Sequence, residues 1–452
     1  MLVGAVFAFQ AILAFGRNLT APPPAGEPFA SGPAPAHSAA FLHVLLALVV
    51  VIAVARLLGA LFKYIHQPPV IGEVVAGILL GPSLFGRIAP EAAAFVLPPT
   101  VAPSLGVISQ IGVILYMFLV GVELDTDLVR RRAHASVAVS HASIIVPFVL
   151  GGLLALAIYP TTSTSDVPFT VFALFMGVAM SVTAFPVLAR ILSDRQMSRT
   201  RLGSIALACA AVDDVTAWCL LAFVVGVVRS RVGGAVVTVA LATGYVAFML
   251  LFARPLLAKI LRRFSARPAS RPHVMSVIFV GLLLSALATE AIGIHAIFGA
   301  FLLGVCLPRD LDLVERVKTR LEEVVTILLL PAFFAFTGMR TQIGLVDGTT
   351  AWLICGAIIV VASVGKFGGT LVAARIGGFT WRDAASLGIL MNTRGLMELI
   401  VLNVGLELRV LSPTLFAMLV IMAVVTTMAT TPILGLLTRG TDLAPSSLPK
   451  TT

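Results

Sequence analysis

The chain has 452 residues, of which 59% are hydrophobic and 12% are charged. Soluble domains carry about 45–50% apolar and about 25% charged residues, and the mean hydropathy of this chain is +1.06. The composition therefore predicts a polytopic membrane protein and excludes secreted, cytosolic and nucleic-acid-binding classes. Because the net charge of +10 comes mostly from loops between apolar segments, it indicates membrane topology, and no nucleic-acid partner is expected.

Thirteen segments are apolar and long enough to be membrane spans, since a spanning helix needs about 20 residues. In chain order they are residues 40–62, 68–85, 107–124, 136–159, 168–192, 202–229, 233–253, 273–292, 294–308, 323–339, 350–376, 383–407 and 413–438. The apolar residues 2–16 precede them and fit an extra helix, a signal-like segment or a misplaced start site. The predicted fold is thus all-α, with about thirteen transmembrane helices.

The first half of the chain resembles the second half. Gly72 and Gly77, in Val70-Ile-Gly-Glu-Val-Val-Ala-Gly-Ile, match Gly299 and Gly304, in Ile297-Phe-Gly-Ala-Phe-Leu-Leu-Gly-Val. The first six predicted helices then map onto the last six. Equivalent helices are separated by seven membrane crossings, and because seven is an odd number, the two repeats have opposite orientations in the membrane. Inverted repeats of this kind are typical of secondary transporters. Chance similarity between glycine-rich apolar helices is the alternative interpretation.

The repeat divides the chain into five parts. These are an N-terminal apolar segment with a Pro-rich linker (1–39), inverted repeat one (40–229), a linker helix (230–262), inverted repeat two (263–438) and a short tail (439–452). If the first predicted helix starts outside, 22 of the 31 Lys and Arg residues lie in inner loops and 5 in outer loops. Cytoplasmic loops carry the excess of Lys and Arg, so we expect a cell-membrane protein whose C-terminus is cytoplasmic.

Three ionisable residues lie near the middle of predicted helices. Asp213 and Asp214 are adjacent in the helix 202–229, and Lys366 lies in the helix 350–376. Each charge costs roughly 2.5–3.5 kcal/mol at bilayer depth, so these residues must line a hydrated or protein-enclosed cavity. Adjacent helical residues point about 100° apart, which allows one aspartate to face a cavity while the other faces a neighbouring helix. A proton-releasing Asp–Lys pair and a purely architectural ion pair both remain possible.

Two predicted helices carry signs of a break at corresponding positions of the two repeats. The first contains Ser181 and Thr183, directly before a proline that disfavours helix. The second contains Asn392 and Thr393, with Arg394 and Glu398 following. Paired broken helices indicate a transport site, whereas an ordinary proline kink with back-bonded hydroxyls is the alternative.

Three further ionisable residues have supporting roles in this interpretation. Arg394 and Glu398 are four residues apart, on one helix face, and are expected to pair with each other or across the core. Glu73, next to Gly72, is interpreted as a residue of a cavity wall or an interface.

Several of these motifs, in this order, resemble the monovalent cation:proton antiporter-2 family of the sodium/hydrogen exchanger superfamily. The branch includes bacterial Na⁺/H⁺ antiporters and plant cation/proton exchangers. The motifs are Gly72-Glu-Val-Val-Ala-Gly-Ile-Leu-Leu-Gly-Pro-Ser83, Gly121-Val-Glu-Leu-Asp125, Thr183-Ala-Phe-Pro-Val-Leu-Ala-Arg190, Asp213-Asp214 and Asn392-Thr-Arg-Gly-Leu-Met-Glu-Leu-Ile-Val401. The resemblance runs from about residue 40 to residue 438.

The resemblance implies a secondary transporter that exchanges a monovalent cation (Na⁺, K⁺ or Li⁺) for protons by alternating access. It implies a homodimer in which the first to third and eighth to tenth helices form the dimer domain and the remaining repeat helices form a moving core. Asp214 would be the shared cation and proton site. Asp213 and Lys366 would be the neighbouring pair that distinguishes electrogenic members, although many members have Asn or Gln at the position of Asp213.

No enzyme activity, cofactor or resident metal is expected, because the four Cys and seven His residues are scattered. An intramembrane aspartyl protease would need catalytic aspartates on facing helices, and a channel would need a symmetric filter or rings of charge. Neither pattern is visible in the sequence. An organic-ion symporter on a similar inverted-repeat fold is the remaining alternative.

Overall fold

The computed structural model describes residues 2–16, 19, 37–123, 133–197, 200–229, 234–265, 271–308 and 312–438. The helices of these residues are α1 (Leu2–Gly16), α2 (His37–Tyr64), α3 (Pro69–Leu80), α4 (Phe85–Ile88), α5 (Pro90–Val96), α6 (Ala102–Glu123), α7 (Ala133–Thr162), α8 (Phe169–Ser181), α9 (Phe185–Asp194), α10 (Arg201–Arg229), α11 (Gly234–Phe248), α12 (Arg254–Ser265), α13 (Arg271–Ile292), α14 (Ala296–Cys306), α15 (Asp312–Val324), α16 (Leu330–Arg340), α17 (Gly348–Ser363), α18 (Gly369–Ile376), α19 (Trp381–Met391), α20 (Leu396–Glu407) and α21 (Pro413–Leu437). Five-residue π-helical turns, Met249–Ala253, Val325–Leu329 and Val364–Gly368, join α11 to α12, α15 to α16 and α17 to α18. Over the described residues the architecture is helical throughout.

Each predicted span coincides with one helix, a pair joined by a π-helical turn, or a broken pair. Ten of the described helical spans are long and apolar enough to cross a membrane, or eleven if α19 and α20 count as one bent span. The prediction of an all-helical polytopic membrane protein is therefore confirmed. The number thirteen and the inverted repeats stay predictions.

Several predicted boundaries differ from the structure. The span expected to begin at residue 323 continues a helix that begins at Asp312. The helix expected over 68–85 ends at Leu80, because Gly81 is extended and is followed by Pro82, which disfavours helix at the preceding residue. The linker helix, expected to end at residue 262, continues to Ser265. The predicted tail 439–452 lies outside the described residues.

The extra-helix interpretation of residues 2–16 agrees with the structure. These residues form α1, which packs on α7 and α8. The ring of Phe9 lies 5.1 Å from that of Phe148 in α7, and Ile12 is buried.

The helices pack in two groups. A scaffold group contains α2, α3, α6, α13, α14 and α16, and a core group contains α7–α10 and α17–α21. The linker α11–α12 contacts α10 of the core group and α13 of the scaffold group. The same helices are grouped in the predicted dimer and core domains, which stay predictions, and both broken helices lie in the core group.

Glycines allow backbones of the scaffold group to touch. A Cβ added at Gly72 or Gly299 would overlap a carbonyl group of α2 or α13, respectively. A Cβ added at Gly77 would overlap a carbonyl group of α16, and one added at Gly304 would overlap a carbonyl group of α6. Equivalent glycines of the two predicted repeats thus make equivalent contacts, which supports the repeat prediction.

Candidate functional site

The two helix breaks lie against each other in the core group. The backbone amide of Ala184, between α8 and α9, donates a hydrogen bond of 3.0 Å to the carbonyl oxygen of Thr393, between α19 and α20. The hydroxyl of Thr183 lies 3.1 Å from the carbonyl oxygen of Met391, and the axes of α19 and α20 differ by 43°. The structure therefore brings together the two predicted breaks, and Thr183 with Thr393, at one crossing point.

Asp213 of α10 is completely buried next to this crossing and is surrounded by donors. Its Oδ1 lies 2.6 Å from the hydroxyl of Ser140. Its Oδ2 lies 2.6 Å from Ser143, 2.9 Å from Thr183 and 2.9 Å from Lys366 Nζ. Charge-assisted hydrogen bonds of this length are strong, so the side chain of Asp213 is held in a fixed geometry.

Lys366 reaches Asp213 from the π-helical turn between α17 and α18. Its side chain is completely buried, and the glycines on either side allow close packing on α7. A Cβ at Gly365 would lie 2.9 Å from Pro147, and one at Gly369 would lie 2.9 Å from the carbonyl oxygen of Ala142. π-helical turns inside α-helices are frequent at functional sites, and this one places the ammonium group at the middle of the core group.

Asp214 has the opposite environment, although it is the next residue. It is 2% exposed, and neither carboxylate oxygen has a hydrogen-bond partner among the described residues. The backbone amide of Phe185, the first residue of α9, approaches the carboxylate without completing a hydrogen bond. A helix N-terminus carries partial positive charge, so the protein provides weak electrostatic support and leaves both oxygens free to bind.

Arg394 and Glu398 form a buried ion pair of 2.9 Å, both at 0% exposure. The same guanidinium donates hydrogen bonds of 2.7 Å to the carbonyl oxygens of Ala179 and Met180, in the last turn of α8. The C-terminal end of a helix carries partial negative charge, so Arg394 stabilises the free end of α8. The predicted pairing of Arg394 with Glu398 is present.

The remaining predicted site residues differ in their positions. Asn392 and Thr393 are buried at the crossing, and the Asn392 Oδ1 and Thr393 Oγ1 atoms have no hydrogen-bond partner in the described part of the chain. The hydroxyl of Ser181 lies within hydrogen-bond distance of the carbonyl oxygens of Gly177 and Ile144. Ser181 thus follows the back-bonded alternative and shapes the break. Glu73 is buried against Gly59 of α2, within the scaffold group.

The sequence analysis missed Ser140 and Ser143, which hold Asp213. Their signal in the sequence is two hydroxyls three residues apart in the apolar helix α7, because such residues share a helix face. The same spacing occurs in many helices that make no such contact, so only the packing of α7 on α10 identifies these residues.

The sequence matches known transporters over most of its length. The family model described as "Sodium/hydrogen exchanger, transmembrane" matches residues 45–439. The chain is 44% identical over 394 residues to the Na(+)/H(+) antiporter NhaS4 of Synechocystis sp., covering 87% of this chain and 96% of that protein. It is 40% identical to cation/H(+) antiporter 20 of Arabidopsis thaliana and 34% identical to K(+)/H(+) antiporter 1 of Saccharomyces cerevisiae. The chain spans 48% and 45% of the lengths of these two relatives, respectively.

A solved structure has the same fold. The sodium proton antiporter MjNhaP1 from Methanocaldococcus jannaschii is similar with a TM-score of 0.64 and 16% sequence identity, covering 89% of this chain and 98% of that one. At that identity the similarity establishes the fold alone. The family match over residues 45–439 and the relatives at 34–44% identity show that the chain belongs to the transmembrane sodium/hydrogen exchanger family, a family of antiporters.

Proposed function

We propose that this protein exchanges a monovalent cation, Na⁺ or K⁺, for protons by alternating access, with Asp214 as the shared binding site. The observation that carries the proposal is the pair of unpartnered carboxylate oxygens of Asp214, buried beside the crossing of two broken helices. An ionised carboxylate that is buried without a partner costs several kcal/mol. Binding of either a proton or a cation removes that cost.

Exchange follows because the two ligands use the same oxygens. A protonated Asp214 has lost the charge that attracts a cation, and a cation on the carboxylate excludes the proton. Carbonyl and side-chain oxygens at the helix breaks would supply further cation ligands, as expected for broken helices of transporters. The free Oδ1 of Asn392 and Oγ1 of Thr393 are the candidates for that role.

Asp213 and Lys366 would add a second proton to the cycle. Cation binding at Asp214 places a positive charge near Lys366, which favours release of a proton from the ammonium group. When the cation leaves, Lys366 takes up a proton again and pairs with Asp213, while Asp214 takes up another. Two protons would then exchange for one cation, and each cycle would move one net charge, worth about 2.3 kcal/mol per 100 mV.

We further propose that the protein lies in the cell membrane as a homodimer, with the C-terminal tail in the cytoplasm. The distribution of Lys and Arg residues supports this orientation. Contacts at the ends of the helices agree with the predicted alternation of sides. Lys318 and Glu123, both on the predicted inner side, form an ion pair of 3.0 Å. The hydroxyl of Ser412 donates to the carbonyl oxygen of Thr162, both on the predicted outer side.

The test is cation-induced proton movement in everted membrane vesicles, measured with a pH-sensitive dye. Wild type should respond to added Na⁺ or K⁺, and Asp214→Asn, which keeps the shape and removes the charge, should not. Asp166→Asn makes the same chemical change at an exposed loop position and should retain exchange. Full exchange by folded Asp214→Asn would remove Asp214 from the mechanism. If the wild-type protein gives no dye response to any cation across a range of pH, antiport is refuted. The organic-ion symporter would then be tested.

A further inference from the structure

Polar contacts at one end of the molecule join α20 of the core group to the scaffold group. Glu407 Oε1 lies 3.3 Å from Arg340 Nη1, and Glu407 Oε2 lies 3.9 Å from His295 Nε2. Arg340 also donates to the Asn403 Oδ1 at 3.3 Å, and Asn403 Nδ2 donates to the hydroxyl of Thr337 at 2.8 Å. Arg340, Thr337 and His295 belong to the scaffold side, so these contacts must break if the core group moves as a body.

A cavity of about 500 Å³ lies at the same boundary between the groups. Its lining includes Glu407 and Asn403 of the core group, and Ser109, Val113 and His295 of the scaffold group. In the predicted orientation this end is extracellular. The cavity is therefore an outer vestibule bounded by the contacts of α20.

A hydrophobic contact lies between the two groups one helical turn from the ion site. Trp218, four residues after Asp214 on α10, is buried, and its ring lies 5.6 Å from that of Phe298 on α14. The next residues towards the start of α14, Ile297 and Ala296, line the vestibule. Two layers thus close this end, the aromatic pair near Asp214 and the polar contacts at Glu407.

His295 has an unusual backbone conformation for its residue type. Its φ of +81° lies in the left-handed region, which non-glycine residues adopt at an energetic cost and which often marks functional sites. It directly precedes α14, where Glu290 accepts a hydrogen bond from the amide of Ala296. This geometry holds the imidazole beside Glu407.

We propose that Glu407 is a positioning residue of the exchange cycle, which with Arg340 and His295 forms a latch that holds the outer end of the core group closed. The proposal rests on the alternating access described above. His295 Nε2 lies 3.9 Å from the same carboxylate, so Glu407 contacts two groups of the scaffold side, and loss of these contacts favours opening of this end.

The experiment measures how fast an introduced cysteine at the buried vestibule position Val113 reacts with a membrane-impermeant maleimide added from the vestibule side. The background variant is Cys219→Ser, since Cys209, Cys306 and Cys355 are buried. Glu407→Gln should increase the rate about two- to fivefold, near the upper part of the range for removing a partly exposed ion pair. His295→Gln should increase the rate less than Glu407→Gln does, because the contact of His295 with Glu407, at 3.9 Å, is longer than the 3.3 Å contact of Arg340. Glu323→Gln, the same change at an exposed position of α15, should leave the rate unchanged.

Labelling requires no transport, so it separates this proposal from the proposed function. Equal rates in Glu407→Gln, His295→Gln and the Glu323→Gln control would overturn the latch. If Glu407→Gln does not fold, the labelling rate of His295→Gln decides alone, because this side chain lies 3.9 Å from Glu407 and its replacement leaves the Arg340 pair intact. A latch response in protein without cation-driven proton movement would support the latch and refute the exchange function.

Discussion

Replacing Lys366 with methionine tests whether the buried ion pair carries the second proton. Methionine keeps most of the volume of the lysine chain and removes the ammonium group, which lies 2.9 Å from Asp213 Oδ2 with both side chains at 0% exposure. Breaking a buried pair costs about 3–5 kcal/mol, because one charge remains without a counter-charge. Three hydroxyls still donate to Asp213. We therefore expect the loss of stability to lie near the lower end of this range and the variant to fold.

The functional consequence is a change in charge movement per cycle. With two protons per cation, a membrane potential of 100 mV contributes about 2.3 kcal/mol per cycle. At about 1.4 kcal/mol per factor of ten, this equals a roughly 50-fold shift of the equilibrium cation gradient. Without the Lys366 ammonium, only Asp214 exchanges a proton for the cation. The cycle then becomes electroneutral, and the gradient should not respond to voltage.

The measurement is the equilibrium cation gradient in proteoliposomes at zero and at 100 mV imposed potential. Lys259→Met, which changes an exposed lysine of α12, serves as the control and should behave as wild type. If Lys366→Met responds to voltage as strongly as wild type, the pair is architectural and the reasoning fails. If wild type itself does not respond, the two-proton cycle is wrong.

Two further predictions concern stability, measured as thermal unfolding of the purified protein in detergent. Ser143→Ala removes a hydrogen bond of 2.6 Å to Asp213 and should lower stability by about 1.5–3 kcal/mol, the range for hydrogen bonds to charged groups; an unchanged melting temperature would mean that this hydroxyl contributes nothing. Gly304→Ala places a Cβ against the backbone of α6 and should lower the free energy of unfolding by about 1–3 kcal/mol through overpacking. Gly356→Ala, with open space around the added methyl, should be neutral or stabilising, and equal effects of the two alanines would refute the close-packing argument.

Much of the site could be predicted because polar residues are expensive inside a membrane. Asp213, Asp214 and Lys366 stand out in apolar segments, and their burial in the structure agrees with the reason for selecting them. The breaks at Thr183 and Thr393 were also visible, since proline and clustered polar residues interrupt apolar helices. These signals depend only on the local sequence and on the lipid bilayer around the helices. The apolar composition of the chain already identifies that bilayer.

Other features depend on which helix faces meet, and the sequence does not contain that information directly. Ser140 and Ser143 carry little energetic cost in a membrane helix, because a serine hydroxyl can donate a hydrogen bond to a backbone carbonyl of its own helix. Only the packing of α7 on α10 turns them into ligands of Asp213. Ser181 shows the reverse case, since its hydroxyl is satisfied by backbone although its position beside a break predicted a place in the site lining.

In the proposed exchange cycle, the contrast between the two adjacent aspartates lets one helix turn combine stability with ion binding. A cation that binds a carboxylate must displace any donor already bonded to it, so a site with several donors, such as Asp213, would bind cations weakly. A carboxylate without donors would be too costly to bury if no neighbouring charge compensated it. The neighbouring Asp213–Lys366 pair is neutral as a unit and is satisfied by its own hydrogen bonds, so in the proposed cycle Asp214 depends on its transported ligands for that compensation. The roughly 100° between neighbouring residues of a helix permits this arrangement, in which one aspartate supports the fold and the other remains available to the ion.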